Sequence, residues 1–186
     1  MKRSAADVIR EYGPYEGVDQ VGGVTYDGER IWFAAGDTLK SIDPESGAAS
    51  RSLEVAAHAG TAFDGKHLFQ IAENQIRKID PSTGRVLATT PAPSTGAVLR
   101  TIESNRFVTG VSWVDGELWH ATWEEDRSDL RRIDPETGAV LETLDMPAGI
   151  GVSGLESDGG ERFFCGGGRS AKIRVVRRPK RSSKSR

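Results

Sequence analysis

A nine-residue peptide occurs three times in this chain of 186 residues. The copies are Leu39–Gly47, Ile76–Gly84 and Leu130–Gly138, and each ends in Ile-Asp-Pro-x-Ser/Thr-Gly. Proline fixes φ for the second position of a tight turn, aspartate caps its own backbone, and glycine accepts positive φ at the exit. Each copy therefore predicts a short strand that runs into a tight turn.

A second repeated peptide precedes each of these copies. Gly23–Trp32, Gly60–Phe69 and Gly110–Trp119 each place an Asp-Gly pair between two segments with apolar residues, the second of which ends in an aromatic residue. Asp-Gly in this setting is a strong signal for a β-hairpin. A looser fourth copy begins at Gly151. A sandwich or a barrel would also have regular short strands, but neither requires nearly identical turns at a fixed period.

We therefore predict an all-β fold, a β-propeller with four recognisable four-stranded blades, over residues 6–179. The chain ends on the third strand of the last blade, at Lys172–Val176. We predict that the N-terminal segment Asp7–Glu11 supplies the outer strand of that blade. This pairing would close the ring and cover open sheet edges.

One outer strand is left over. The turn peptide Pro-Ser-Thr-Gly occurs at 81–84 and again at 93–96. The chain between these two copies is too short for three strands. Residues 97–101, which follow the second copy, would therefore be an additional outer strand. One interpretation is a five-bladed ancestor that lost about 30 residues near Ala92–Pro93, which leaves an incomplete ring that a dimer could complete. The other is a four-bladed ring with a long connecting loop over residues 88–96.

Charge and composition exclude several classes of protein. The net formal charge is −2, but no acidic residue follows Glu161, so 180–186 is predicted to be a disordered basic tail. No aromatic residues are interleaved there to stack on bases, which argues against a nucleic-acid contact.

No segment approaches the ~18 apolar residues of a membrane helix. Asp7, Arg10 and Glu11 interrupt the start where a signal peptide needs an apolar run, so we predict a cytoplasmic protein.

The single cysteine, Cys165, cannot form an internal disulfide, and one thiol is no zinc framework. We interpret it as a small residue at the end of a strand. The alternative is a reactive thiol in an open loop, because Gly166–Gly168 follow it.

The repeats resemble those of the glutamine cyclotransferase-like five-bladed propellers, and more distantly those of virginiamycin B lyase and YVTN-type repeat families. The motifs that carry this resemblance are Gly-Val, Asp-Gly, Leu-Trp and Leu-Arg-x-Ile-Asp-Pro-x-Thr-Gly-x-Val-Leu. The cyclase pattern Leu-Tyr-Glu-Ser-Thr-Gly-x-x-Gly-x-Ser-x-Leu-Arg matches residues 118–131, with His120 at the position of the glutamate and Trp123 at that of the first glycine. The resemblance implies cyclotransferase-type or lyase-type proton transfer on a small molecule or a peptide end.

We place the candidate site at the mouth of the central channel, on what we interpret as a long connection over residues 120–127. His120 with Glu124 or Glu156 would move protons, because imidazole titrates near neutral pH and a carboxylate can orient it. The residues predicted to bind substrate at the same mouth are Trp113, Trp123, Arg106, His58, Glu73 and Asn74.

Other interpretations of these residues stay open. His58 and His120 with Glu73 or Glu124 could bind a divalent metal, but their spacing is not diagnostic, so we assign no metal or other cofactor. His120 could also be a plain structural residue beside a solvated hairpin tip. The sequence thus leaves two functions: a small-molecule or peptide-end site with or without catalysis, and a non-catalytic propeller that binds a protein partner.

Overall fold

The computed structural model describes residues 1–92 and 100–180, which form strands and loops without a helix. The strands are β1 Lys2–Ala5, β2 Val8–Tyr12, β3 Val24–Tyr26, β4 Ile31–Ala35, β5 Thr38–Ile42, β6 Ala49–Leu53, β7 Thr61–Phe63, β8 Leu68–Ala72, β9 Gln75–Ile79, β10 Val86–Pro91, β11 Phe107–Val114, β12 Glu117–Glu124, β13 Arg127–Ile133, β14 Val140–Asp145, β15 Gly154–Ser157, β16 Arg162–Gly166 and β17 Ile173–Arg177. The second Pro-Ser-Thr-Gly turn and most of the additional outer strand fall on 93–99, outside the described residues. The same holds for 181–186 of the predicted tail.

The strands form four antiparallel blades, which confirms the predicted propeller. From the inner to the outer strand, blade one is β3-β4-β5-β6 and blade two is β7-β8-β9-β10. Blade three is β11-β12-β13-β14, and blade four is β15-β16-β17-β2. The last pairing confirms that the N-terminal segment supplies the outer strand of the last blade, with Tyr12 opposite Ile173.

The N-terminus also makes a contact that the sequence did not reveal. Strand β1 pairs with β14 in parallel, with Arg3 opposite Thr143, and adds a fifth strand to the outer edge of blade three. This strand lies ahead of residue 6, where we had begun the domain. Residues 2–12 therefore join the outer edges of blades three and four.

The repeated turns have the conformation that their residues predict. In the Asp-Pro turn of blade one, Asp43 Oδ1 accepts hydrogen bonds from the backbone N–H groups of Glu45 and Ser46. Gly47 closes the turn with φ of 74° and donates its N–H to the carbonyl oxygen of Asp43 at 2.8 Å. Local turn chemistry thus sets the chain reversal within each blade.

Three apolar cores lie between successive blades. Phe33 and Ile31 of blade one pack with Phe164 of blade four. The other two cores join blade three to blade four and blade one to blade two. Their largest buried side chains are Trp119, Leu130 and Phe163 in the first, and Trp32, Leu39, Leu68 and Ile79 in the second.

Blades two and three lack an interface of this kind in the part of the chain that the structure describes. Neighbouring inner strands pack in the order β11, β15, β3 and β7, whereas β7 and β11 do not pack against each other in the same way. Instead, large apolar side chains near this position are exposed: Ile71 41%, Val111 59%, Trp113 61% and Phe107 74%. Within residues 1–92 and 100–180, the four blades therefore form a ring that is open between blades two and three, which favours the incomplete-ring interpretation.

The space around the glycines near the starts of the inner strands also differs at this opening. A Cβ on Gly110 would lie 2.8 Å from the carbonyl carbon of Gly154, and a Cβ on Gly154 would lie 3.1 Å from the nitrogen of Val24. A Cβ on Gly23 would lie 2.7 Å from the nitrogen of Thr61. These three glycines let the backbones of adjacent blades approach closely. A Cβ on Gly60 of blade two would meet only the Cδ1 of Ile71, within its own blade, at 3.6 Å.

Candidate functional site on the open side of blade three

The predicted long connection over residues 120–127 is wrong. Strands β12 and β13 pair in continuous register from Leu118 opposite Ile133 to Glu124 opposite Arg127, so only Glu125 and Asp126 connect them. His120 and Glu124 therefore lie within a strand. The reason is that the polar residues here alternate along a pleated strand and do not mark a loop.

Alternation along β12 assigns its side chains to two faces of blade three. Trp119 faces blade four, where its ring packs 5.0 Å from that of Phe163. His120 faces the other way, toward the open side, together with Val111 on the neighbouring strand β11. Two adjacent residues, Trp119 and His120, therefore lie on opposite faces of blade three.

Of the two predicted acid–base pairs, His120 with Glu156 is not assembled, whereas Glu124 lies on the same face as His120 and pairs with Arg106 Nε at 3.1 Å. Glu156 on β15 accepts hydrogen bonds from Ser112 Oγ at 3.0 Å and from Thr25 Oγ1 at 3.3 Å. Ser112 lies opposite Trp119, so Glu156 contacts the blade-four face of blade three. His120 lies on the opposite face, and the sheet separates the imidazole from the carboxylate.

The two tryptophans predicted to bind substrate, Trp113 and Trp123, are also separated. Trp113 lies opposite Leu118 and is exposed on the open side. Trp123 faces blade four, where Gly151 and Gly168 make room for its ring, and its Nε1 donates to the carbonyl oxygen of Glu125 at 2.6 Å. The two indoles therefore cannot hold one ligand between them.

The remaining predicted substrate-binding residues lie at three places. Glu73 and Asn74 form the turn between β8 and β9, with φ of 52° and 59°. His58 lines a groove of about 470 Å³ at the channel mouth, among Gly23, Gly60 and Phe107 to Val111. It is the only ionisable residue among the described lining residues of this groove. Arg106, in contrast, belongs to a cluster with Glu124.

That cluster forms a polar pocket of about 560 Å³ on the open side of blade three. We define the polar pocket by five of its lining side chains, which are Asn105, Arg106, His120, Asp129 and Arg131. His120, Asp129 and Arg131 come from β12 and β13, whereas Asn105 and Arg106 come from the segment that enters β11. Arg3 of the N-terminal strand also lines it.

Asp129 holds the polar pocket together. Its side chain is buried, and Oδ1 accepts hydrogen bonds from Thr122 Oγ1 at 2.6 Å and from Arg131 Nε at 2.7 Å. Its Oδ2 accepts from Arg106 Nη1 at 2.9 Å and from Arg131 Nη2 at 3.1 Å. One carboxylate thus fixes two guanidinium groups, as burial of charge requires.

His120 is the buried imidazole of this pocket. Its side chain is only 8% exposed, and Nε2 has no hydrogen-bond partner among the described residues. Burial lowers the pKa of His120 below the ordinary value of histidine, and the positive charge of Arg131 lowers it further, against the opposing effect of Asp129. The imidazole is therefore neutral at pH 7.

The site residues predicted from the sequence include His120, Glu124 and Arg106 but not Asp129, Arg131 and Asn105. A signal was present, because Asp129 and Arg131 alternate along β13 as His120 and Thr122 do along β12. It could be used only once the hairpin turn was placed at 125–126. That placement sets which residues share a face.

Two further predictions concern metal and thiol chemistry. Within residues 1–92 and 100–180, no group of three or more His, Cys, Asp or Glu side chains is arranged to hold a metal ion. Cys165 is buried in β16, and burial raises the pKa of its thiol to about 12. This agrees with the interpretation of Cys165 as a packed strand residue, because a reactive cysteine needs an accessible thiolate. The described part of the chain also has no helix suited to cross a membrane.

The fold and its cores define this chain as a β-propeller of four blades. No family model and no curated protein match the sequence. Among solved structures, it is similar to glutaminyl cyclase of Myxococcus xanthus, with 15% identity, a TM-score of 0.43, and coverage of 95% of this chain and 97% of that one. It is also similar to Kuenenia stuttgartiensis hydrazine synthase, with 16% identity, a TM-score of 0.37, and coverage of 78% and 43%. At these identities the likeness concerns the fold alone.

Proposed function

We propose that this chain is a non-catalytic propeller that binds a β-strand segment of another polypeptide in the opening between blades two and three. The observation that carries this proposal is the surroundings of Gly60. At three other blade junctions the backbone of the next inner strand packs against a glycine, but among the described residues a Cβ on Gly60 would meet only Ile71 of its own blade. A position that admits close backbone approach, beside an opening in the ring, suits an incoming strand.

The blade-three side of the opening supports the same occupant. Strand β11 has eight residues, whereas β3 and β7 have three each and β15 has four. It is the terminal strand of its sheet, and it presents exposed Val111 and Trp113. A terminal strand can pair with an extended segment through its backbone, and the exposed Val111 and Trp113 give that segment apolar side chains to pack against. Exposed aromatic residues of this kind often dominate binding energy.

Catalysis by the sequence-predicted groups is not supported. His120 and Glu156 lie on opposite faces of blade three, Glu124 is exposed and pairs with Arg106, and the described lining of the mouth groove holds no carboxylate. Proton transfer requires an acid and a base within hydrogen-bond reach of one substrate. We therefore expect that peptides with an N-terminal glutamine release no ammonia above the blank when incubated with the purified protein. Release that is lost in His120→Ala or Glu156→Gln would restore the enzymatic interpretation.

Photo-crosslinking tests the binding proposal directly. A benzoylphenylalanine at position 113 lies in the opening, whereas the same residue at position 141 lies on the outer strand of blade three and serves as a matched control. We expect position 113, and not position 141, to crosslink in cells to an extended segment of a distinct polypeptide. Mass spectrometry identifies that segment.

The identified segment is then purified and titrated into the protein by calorimetry. We expect Gly60→Val to weaken binding at least ~10-fold, because the added side chain occupies the path of the strand. Ser50→Val on the outer strand of blade one is the control and should bind like the unmodified chain. Equal crosslinking at both positions, crosslinks only between copies of this chain, or unchanged binding by Gly60→Val would each contradict the proposal.

A further inference from the structure

We propose that the polar pocket on blade three is a binding site for a small organic carboxylate. This inference is independent of the proposed partner strand. It depends on the charges of the polar pocket, on the hydrogen-bond donors that remain free in it, and on its size.

The buried part of the polar pocket carries excess positive charge. Arg106 and Arg131 have side chains that are 17% and 10% exposed, and both contact the single buried carboxylate of Asp129. Glu124 also approaches Arg106 Nε at 3.1 Å, but its side chain is 54% exposed. A solvent-exposed ion pair contributes only about 0–1 kcal/mol, so Glu124 offsets the second guanidinium weakly.

Other charged groups border the polar pocket at its outer side. Glu103 lines it and is exposed. Arg3 lines it as well, but its Nε and Nη2 both donate to the carboxylate of Asp145, at 2.7 and 2.8 Å. These outer groups are in contact with water and are screened. The deep layer therefore has two guanidinium groups against one carboxylate.

Donors in this layer remain available for a ligand. Within the described residues, Arg106 donates to Asp129 through Nη1 and pairs with Glu124 through Nε, which leaves Nη2 available. At the exposed rim of the polar pocket, Asn105 accepts from Arg131 Nη1 through its Oδ1 at 2.7 Å, which leaves its amide nitrogen as a further donor. Nε2 of His120 is buried and lacks a partner, and a buried polar atom of this kind costs about 1–3 kcal/mol unless it is paired.

A carboxylate matches these donors best. Its two oxygens fit the fork of a guanidinium group, and charge-assisted bonds of this type are stronger than neutral ones. A neutral imidazole can donate one N–H to the same anion. The volume of about 560 Å³ falls within the ~300–1,000 Å³ of small-molecule sites. A molecule with one or two carboxylates and a short carbon chain would fit.

Nuclear magnetic resonance of the histidine side chains tests this assignment. The probe is succinate, and its controls are succinamide, which is neutral and of similar shape, and sulfate, which is a non-planar dianion. His120→Gln identifies the signal of His120 by its loss. We expect succinate to shift that signal saturably, with a dissociation constant in the millimolar range or below, and succinamide to leave it unchanged.

Two variants of Arg106 connect the shift to the polar pocket. We expect Arg106→Gln to weaken succinate binding at least ~10-fold, and Arg106→Lys to weaken it less, because lysine keeps the charge without the fork. Arg100→Gln removes an exposed arginine that pairs with Glu136, and it should bind succinate normally. Circular dichroism checks that each variant is folded.

Three results would overturn the inference. The first is no saturable shift of the His120 signal up to about 50 mM succinate, well above a millimolar dissociation constant. The second is an equal response to succinamide or to sulfate, which would mean that a carboxylate is not recognised. The third is undiminished succinate binding by folded Arg106→Gln.

Discussion

Gly23 and Gly60 lie at equivalent positions before successive inner strands, yet only Gly23 is enclosed by a neighbouring blade. A Cβ on Gly23 would lie 2.6 Å from the carbonyl oxygen of Ala59, whereas on Gly60 it would meet only Ile71. We expect Gly23→Ala to lower the free energy of unfolding by about 1–3 kcal/mol through overpacking. Gly60→Ala should change it by no more than about 0.5 kcal/mol. Urea denaturation of both variants checks this, and equal losses would mean that the ring is closed at blade two.

Trp113 and Trp119 provide a second pair that differs in surroundings. Trp119 is fully buried against Phe163, so Trp119→Ala should lower the free energy of unfolding by about 3–5 kcal/mol. Trp113 is exposed on the open side, and Trp113→Ala should cost no more than about 0.5 kcal/mol. Acrylamide quenching provides an independent measurement. Subtracting the fluorescence of each variant from that of the parent gives the signal of the one tryptophan that was removed, and its quenching reports how exposed that tryptophan is. A strongly protected Trp113 would show that the opening is covered in solution.

Removal of the charge of Asp129 tests its role in the polar pocket. Asp129→Asn leaves Arg106 and Arg131 without their shared buried counter-charge, so we expect a loss of about 3–5 kcal/mol in the free energy of unfolding. Asp145→Asn removes a surface pair with Arg3 and should cost at most about 1 kcal/mol. Chemical denaturation at pH 7 compares the two variants. A small loss for Asp129→Asn would show that water enters the pocket and solvates the arginines.

The turn carboxylates predict how stability depends on pH. The pKa of Asp80 is lowered to about 2, first by the hydrogen bond from the Ser82 side chain and then by the Ser82 backbone N–H. Folding lowers the pKa of Asp80, so the ionised carboxylate stabilises the folded state. This contribution is complete above the unfolded pKa of about 3.9 and is lost as pH falls through about 2. Ser82→Ala should raise the pKa of Asp80, as measured by carbon NMR. An unchanged pKa would assign the shift to the backbone N–H groups and the Thr83 side chain.

Truncation of the N-terminus separates the roles of β1 and β2. Strand β1 is exposed along its whole length, so deletion of residues 1–5 should lower the melting temperature by only a few degrees. Deletion of residues 1–12 also removes Tyr12, which is buried and pairs with β17. That variant should unfold or aggregate, because blade four loses its outer strand. Scanning calorimetry of both truncations checks the difference, and equal stability would contradict the closure by β2.

The blades could be predicted because their turns are local. The Asp-Pro peptide at Asp43 and the Asp-Gly peptide at Asp27 form their hydrogen bonds within a few residues of each aspartate. The closure by β2 also followed from the sequence, since the last blade lacked a fourth strand. The period of the repeats was therefore sufficient to predict the propeller.

The candidate site was predicted less well. The polar residues 120–127 suggested a loop, and that error placed His120, Trp123 and Glu124 on one surface. In a paired strand, neighbouring residues point to opposite faces, and a shift of the turn by a few residues changes which side chains meet. Asp129 and Arg131 could join the site only after the register of β12 and β13 was known.

The four blades and their turns could be predicted from the repeated peptides, because a few neighbouring residues encode each turn, and the closure by the N-terminal strand followed from the number of strands in the last repeat. Three features became evident only in the folded protein: in the part of the chain that the structure describes, blades two and three are not packed together, His120 and Glu156 lie on opposite faces, and β1 extends blade three. These features depend on contacts between residues far apart in the chain. Such contacts are set by sheet register and by packing between blades, which no repeat period specifies.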